Sequence, residues 1–233
     1  VALDLDGTLV DSAPDLCYCL GVALGSVGLP PPSLADTTSW IGDGVAVLVR
    51  RGLTAGLGEA PSAAMAQAAL AEFMDAYGRR LFVASRLYPG VLEGLSALSA
   101  ARIVAGCVTN KPEKFALEVL ELAGIGSMLQ FVFGGDTFAA KKPDPEPLNQ
   151  AAARYAVAPA EAAMVGDSVN DSEAARRAGF RFVLARYGYV PPGDKALEQQ
   201  ALSIDRFDEL PQLLCAQQTR KYHSEHNKPR GNR

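Results

Sequence analysis

The sequence predicts an α/β fold: a doubly wound parallel sheet carrying a small inserted α-helical cap. Three observations lead there. The chain opens on an apolar run, Val1-Ala2-Leu3 with Leu5, of the near-continuous kind that parallel sheets bury. From Tyr88 onward, short apolar runs alternate with helical periodicities, the pattern of βαβ units. Between these two regions, residues 13–85 show helical spacing and no convincing strand. The expected division is an α/β core from residues 1–12 and 86–216, a helical cap over 13–85, and a flexible, polar, basic tail over 217–233.

The elements follow in order. The first strand ends at Asp4, and Gly7 lets the backbone turn sharply. Pro14 suits the first turn of a helix. Leu16, Leu20, Ala23, Leu24 and Val27 then repeat at helical spacing until Gly28 and Pro30-Pro31-Pro32 stop it. A second helix fits Val45–Leu53, entered through Trp40-Ile41-Gly42-Asp43-Gly44, and a third fits Ser62–Leu81. After Tyr88-Pro89-Gly90 come helix Val91–Ala101, strand Ile103–Val108, helix Glu113–Ala123, strand Phe131–Phe133 and helix Pro147–Tyr155. Strand Ala163–Val165, helix Val169–Ala178, strand Phe182–Ala185, a weak strand Leu202–Ile204 and a last helix Arg206–Leu214 complete the chain.

Composition narrows the function. The chain has 233 residues, 48% of them hydrophobic, with a net charge of −4. The tail carries Arg220, Lys221, Lys228, Arg230 and Arg233 against Glu225, so the body before it is more acidic than the total. An acidic body argues against a nucleic-acid partner. No apolar run approaches a membrane span, no signal peptide opens the chain, and the expected location is cytoplasmic. Cys17, Cys19, Cys107 and Cys215 show no CxxC spacing and read as reduced thiols. Both histidines, His223 and His226, lie in the tail, which argues against histidine catalysis and a His-rich zinc site. Monomer and homodimer both stay open.

In an open parallel sheet, ligands bind beyond the carboxyl ends of the strands. Read to those ends, the strands deliver Asp4 and Asp6, then Thr109 and Asn110, then Lys141-Lys142-Pro143, then Gly166-Asp167-Ser168 with Asp171 beyond. Such a rim suits a phosphate monoester. A carboxylate nucleophile and a phosphoryl group repel each other unless a cation stands between them. Mg²⁺ held by Asp4, Asp6 and Asp167 would supply it, and Lys142 a second positive charge. Thr109, Asn110 and backbone N–H groups are candidates to hold phosphoryl oxygens, and Pro112 suits the first turn of the next helix, whose N-terminus favours anions. Taken singly these residues are commonplace: Asp167 and Asp171 could simply cap the helix that follows them.

The group resembles the haloacid dehalogenase-like hydrolase superfamily. The resemblance rests on Asp4-Leu5-Asp6-Gly7-Thr8, Thr109, Lys142-Pro143 and Gly166-Asp167-Ser168-Val169-Asn170-Asp171, spread over nearly the whole body of the chain. Within it, Trp40-Ile41-Gly42-Asp43-Gly44, Val108-Thr109-Asn110-Lys111-Pro112, Lys141-Lys142-Pro143-Asp144-Pro145 and Tyr187-Gly188-Tyr189 are similar to the bacterial phosphoglycolate phosphatase family. The resemblance implies a Rossmann-like core and a Mg²⁺-dependent phosphatase. Asp4 would attack phosphorus and form an aspartyl phosphate. Asp6 would donate a proton to the leaving oxygen, later activate water, and bind Mg²⁺ through its carbonyl. Asp167 would complete the protein's metal ligands, and Asp171 would order metal-bound water. Gly7 and Asn110 are expected at the phosphate. Gly42, Asp43, Gly44, Arg51 and Lys111 are expected near a small substrate's second anion, with Asp43 opposing it unless its side chain caps the helix from Val45. The alternatives are an amino-sugar phosphate as substrate, a phosphomutase, a dehalogenase, which Asp6 argues against, and a receiver-like phosphoacceptor. In receivers the phosphorylated Asp lies on the third strand, with no cap after the first.

Overall fold

In the computed structural model, residues 1–190, Asp194, Leu197, Gln199 and 202–216 are described. The basic tail and both histidines lie outside them. Strands β1 (Ala2–Leu3), β4 (Gly106–Val108), β5 (Val132–Phe133), β6 (Ala163–Gly166), β7 (Arg181–Ala185) and β8 (Ser203–Ile204) form one sheet in the order β5-β4-β1-β6-β7-β8. Every pairing in it is parallel. The chain builds outward from β1 to β5, then returns to β1's other side with β6. β1 is therefore the point at which the winding reverses, where open sheets leave a crevice at their carboxyl ends. Leu3 pairs with both Cys107 and Val165. The residues just beyond, Asp4, Thr109 and Asp167, leave the sheet at one edge.

Four helices lie between β1 and the rest of the sheet: α1 (Ala13–Gly25), α2 (Leu34–Trp40), α3 (Val45–Leu57) and α4 (Ala63–Gly78). Their apolar faces and one face of the sheet share a single buried cluster, in which Leu16, Leu20, Leu53, Phe73 and Tyr77 meet Leu3, Leu5, Phe115 and Val165. Tyr77 of α4 packs edge-on against Phe115 at 5.2 Å between ring centroids. The remaining helices are α5 (Val91–Ala100), α6 (Glu113–Leu122), α7 (Glu146–Arg154) and α8 (Val169–Ala178). No helix among the described residues is long and apolar enough to cross a membrane.

Several boundaries differ from expectation for identifiable reasons. Ser33 starts α2 by accepting from Asp36 N (3.0 Å), a helix not expected from sequence. The 45–53 helix runs on to Leu57, where Gly58 ends it in the left-handed conformation. The third helix ends at Gly78 rather than Leu81. The strand expected from Ile103 begins only at Gly106, because Ile103 N closes α5 on Leu98 O and Ala105 N bonds the Gln130 side chain. Pro112 is the residue before α6 and not its first turn. The last helix is a 3₁₀ turn, Phe207–Glu209, followed by helical residues 210–216. An unexpected antiparallel pair, β2 (Val10–Asp11) with β3 (Arg86–Leu87), brings together the two ends of the helical insertion. The buried Asp15 carboxylate fastens the same junction, accepting from Ala84 N, Ser85 N and Ser85 Oγ.

Candidate active site

The turn after β1 is wound tightly on Leu5 O, which accepts from Thr8, Leu9 and Val10 N at 3.3, 3.0 and 2.9 Å. Gly7 has φ +85°, and a Cβ there would lie 2.2 Å from Asp167 Oδ2. Only glycine lets the turn lie against that carboxylate. Asp4 Oδ1 accepts from Leu5 N (2.8 Å) and sits 2.9 Å from Lys142 Nζ. Its Oδ2 has no hydrogen bond among the described residues and is the oxygen available for chemistry.

Lys142 is 2% exposed and spends its ammonium on Val108 O (2.6 Å), Asp171 Oδ1 (2.6 Å) and Asp4. Its peptide bond to Pro143 is cis. Burial alone would lower its pKa, but Asp171 and Asp4 hold the ammonium well above its ordinary range. Asp171 is wholly buried. Its other oxygen accepts from Ser168 N (3.0 Å) and Ser168 Oγ (2.6 Å), closing a reciprocal cap on α8. Asp171 thus caps its helix and orients Lys142. Asp167 accepts from Thr8 Oγ1 (2.9 Å) and Tyr189 N (2.8 Å).

Asp4, Asp167 and Asp171 each offer an oxygen within 4.8 Å of the others, all three buried. Burial pushes Asp4 up to about 7, with Asp171 and Asp6 adding to the rise and Lys142 opposing it. Burial, with Asp4 and Asp171 adding to it, holds Asp167 well above the usual carboxylate range. Three carboxylates face one ammonium, so the cluster lacks two positive charges. A divalent cation bound through oxygen fits that deficit and donor set. Asp6 is not in this cluster by its carboxylate. Both of its oxygens lie 2.7 Å from Lys111 Nζ, and one accepts from Ser12 Oγ (2.6 Å). The Lys111 ammonium, 1% exposed, also lies 5.0 Å from the Tyr77 ring centroid. Burial works against its charge, but Asp6 keeps its pKa well above the ordinary range.

Thr109 is buried and accepts weakly from Lys111 N (3.3 Å). It lines a cavity of about 30 Å³ with Asp4, Asp6, Ile41, Gly42, Gly44, Val45 and Lys111. Asp4 and Asp6 also line a cleft of about 360 Å³ bounded by Asp43, Arg51, Asp167, Asn170 and Tyr189. The structure departs from expectation along the loop that faces both. Asn110 does not aim its amide at a phosphoryl position: Nδ2 donates to Gly42 O (2.9 Å) and Lys142 O (2.8 Å). Asp43 does not cap α3, which Gly44 precedes with no side-chain cap. Instead its carboxylate meets Arg51 at 2.5 Å and accepts from Asn170 Nδ2 at 2.8 Å. Arg51 is further tied to Trp40 O (2.8 Å), so it is not a free cation for a substrate. Sequence reasoning gave no role to Ser12, or to Tyr189, whose hydroxyl accepts from Ser12 N and Ala13 N at 2.8 and 2.9 Å.

The model of the haloacid dehalogenase-like hydrolase family matches residues 1–185. A phosphoglycolate phosphatase of Nitrosococcus oceani is 39% identical over 214 residues, covering 92% of this chain and 95% of that protein. One from Thiobacillus denitrificans is 40% identical over 189 residues, covering 81% and 83%. The crystal structure of a predicted phosphoglycolate phosphatase from Haemophilus somnus superposes with a TM-score of 0.86 at 33% identity, covering 91% of this chain and 96% of that one. A β-phosphoglucomutase from Clostridium difficile shares the fold, with a TM-score of 0.75 at 20% identity over 96% of this chain and 97% of that one.

Proposed function

The chain belongs to the haloacid dehalogenase-like hydrolase family as a phosphoric monoester hydrolase, and we propose that it converts 2-phosphoglycolate to glycolate and phosphate with Mg²⁺, in the cytoplasm. We read residues 13–85 as a cap that opens and closes over the α/β core. The observation that carries the substrate reading is a pair of buried ion pairs, one on each of the two acids Asp4 and Asp6 that line the site. Lys142 sits on Asp4, and Lys111 sits on Asp6. A small ester with an anion at each end suits such a site in a way that a neutral leaving group does not, provided Lys111 exchanges Asp6 for the substrate's carboxylate. Relatives named as phosphoglycolate phosphatases support the same choice.

In this mechanism Asp4 Oδ2 attacks phosphorus in line with the leaving oxygen. The phosphorus–oxygen ester bond breaks as Asp6 passes a proton to the departing alkoxide of glycolate. Asp6 then takes a proton from water, whose oxygen displaces Asp4 from phosphorus and releases inorganic phosphate. Asp4, Asp167 and the carbonyl of Asp6 would hold Mg²⁺, which would supply the positive charge that lets two anions approach. Lys142 adds to that charge and fixes Asp4. The Thr109 hydroxyl holds a phosphoryl oxygen. Lys111, aided by the start of α3 at Gly44 and Val45, turns from Asp6 to the substrate's carboxylate.

The test compares phosphoglycolate with ethyl phosphate, which lacks the carboxylate. The expected kcat/KM preference is about 10²-fold, or about 2.7 kcal/mol in the transition state. Equal rates on the two esters would remove the carboxylate reading and the substrate with it.

A further inference from the structure

Three core loops send one donor each to the same loop of the insertion. Asn110 Nδ2 reaches Gly42 O at 2.9 Å. Lys141 Nζ reaches Asp43 O at 2.9 Å. Asn170 Nδ2 reaches Asp43 Oδ1 at 2.8 Å and Gly42 O at 3.3 Å. From the insertion side, Arg51 of α3 clamps the same loop through Asp43 and Trp40 O. Each core donor is the chain neighbour of a residue at the centre of the site: Asn110 follows Thr109, Lys141 precedes Lys142, and Asn170 precedes Asp171. We propose that Asp43, Lys141 and Asn170 form a latch that holds the 40–44 loop shut over the site, making Lys141 and Asn170 positioning residues of the reaction.

The chemistry of the contacts suits a device that must also release. Lys141 is exposed where its neighbour Lys142 is buried, and Arg51 and Asp43 are 40% and 35% exposed. Contacts this open to water are individually weak. Several together hold a loop, and none commits it. The cavity behind the loop, about 30 Å³, has room for about one water. A substrate's leaving group can occupy that cavity only after the loop lifts. The fit in the closed position is close: Gly44, at φ +91°, would bring a Cβ to 3.0 Å from Lys141 Nζ and 3.1 Å from Asn110 O. Because the donors sit beside Thr109, Lys142 and Asp171, closing the loop also fixes the segments that carry those groups. A closed loop excludes water during phosphoryl transfer, and an open one admits it for hydrolysis.

The latch rests on reading 13–85 as a cap and is independent of which ester is turned over. Its test measures deuterium uptake at the backbone amides of residues 40–48 in the Mg²⁺-loaded protein, with kinetics on p-nitrophenyl phosphate and on phosphoglycolate. Asp43→Ala, Lys141→Met and Asn170→Ala are each expected to raise uptake there. Each should lower kcat/KM about fivefold on both esters, mainly through KM, with an unchanged melting temperature. Asp43→Ala combined with Asn170→Ala should cost less than the sum of the two single changes, because they share the bond between Asn170 Nδ2 and Asp43 Oδ1 while each also loses a contact of its own. Lys141→Arg should restore the wild-type pattern. Wild-type uptake in the single variants, or additive losses in the double variant, would overturn the latch. If Asn170→Ala proves unstable, Lys141→Met, on an exposed side chain, decides alone. Failure of the phosphoglycolate reading shows separately, as a missing preference over ethyl phosphate with the uptake changes intact.

Discussion

Lys142 makes three contacts at 2.6, 2.6 and 2.9 Å while 2% exposed, and two of its partners are buried carboxylates. Removing it leaves Asp4 and Asp171 facing each other without a counter-charge. Lys142→Ala is therefore expected to lower kcat by about 10²-fold or more and to destabilise the protein by about 3 kcal/mol. Steady-state kinetics and urea unfolding check both. A mild Lys142→Ala with a severe loss of kcat in Lys141→Ala would exchange the roles of the two lysines. At this scale the sequence is informative where a residue's position at a strand end settles its neighbourhood, as for Asp4, Thr109 and Asp167. It fails where a side chain's partner is remote. The Asn110 amide bonds Gly42, on a loop of the insertion, and Arg51 is occupied by Asp43 and Trp40. Nothing in the local pattern around either residue points to those destinations.

The start of α1 shows how elements are coupled. Ser12 is the residue before this helix, yet its hydroxyl does not cap it, being donated to Asp6 at 2.6 Å. Tyr189 takes over: its hydroxyl accepts from Ser12 N and Ala13 N and donates to Asp11 Oδ1 at 2.8 Å, while its N–H holds Asp167. One residue from the loop after β7 thus ties the acidic cluster to β2 and to the first helix of the insertion. Tyr189→Phe is expected to cost about 1–2 kcal/mol in urea unfolding, the scale of a lost helix cap. A change below a few tenths would mean that water replaces the hydroxyl without penalty. Most of the longer helices are legible from periodicity and stop signals, because their apolar faces decide them. The β2–β3 pair has two residues in each strand, too few to show any period. For α2 a signal was present in Ser33 and Asp36, and its seven residues are too short for periodicity to add to it.

For the whole molecule, the sheet order matters most. β1 lies between β4 and β6, so three strand ends deliver carboxylates and a hydroxyl to one crevice, and Gly7 lets the first turn lie against Asp167. The concentration of buried acids has a consequence for stability. With Asp4 pushed up to about 7 from 3.8, the metal-free folded protein keeps a proton that the unfolded chain gives up. That contribution to stability is full below 3.8 and is lost as pH rises through about 7. Asp167 acts in the same direction. A divalent cation needs these groups ionised, so the rise in melting temperature on adding Mg²⁺ is expected to be small near about pH 5 and large near about pH 8. A shift independent of pH would place the cation elsewhere.

The proposed reaction requires Asp4 to attack the phosphoryl group of phosphoglycolate. Asp4→Asn keeps the shape of the side chain, removes a buried negative charge and removes the nucleophile. The decisive measurement is its kcat on phosphoglycolate with saturating Mg²⁺, beside its melting temperature. The expected result is a folded protein, at least as stable as the wild type without metal, whose turnover is lower by about 10⁴-fold or more. Turnover within about tenfold of wild type would contradict it.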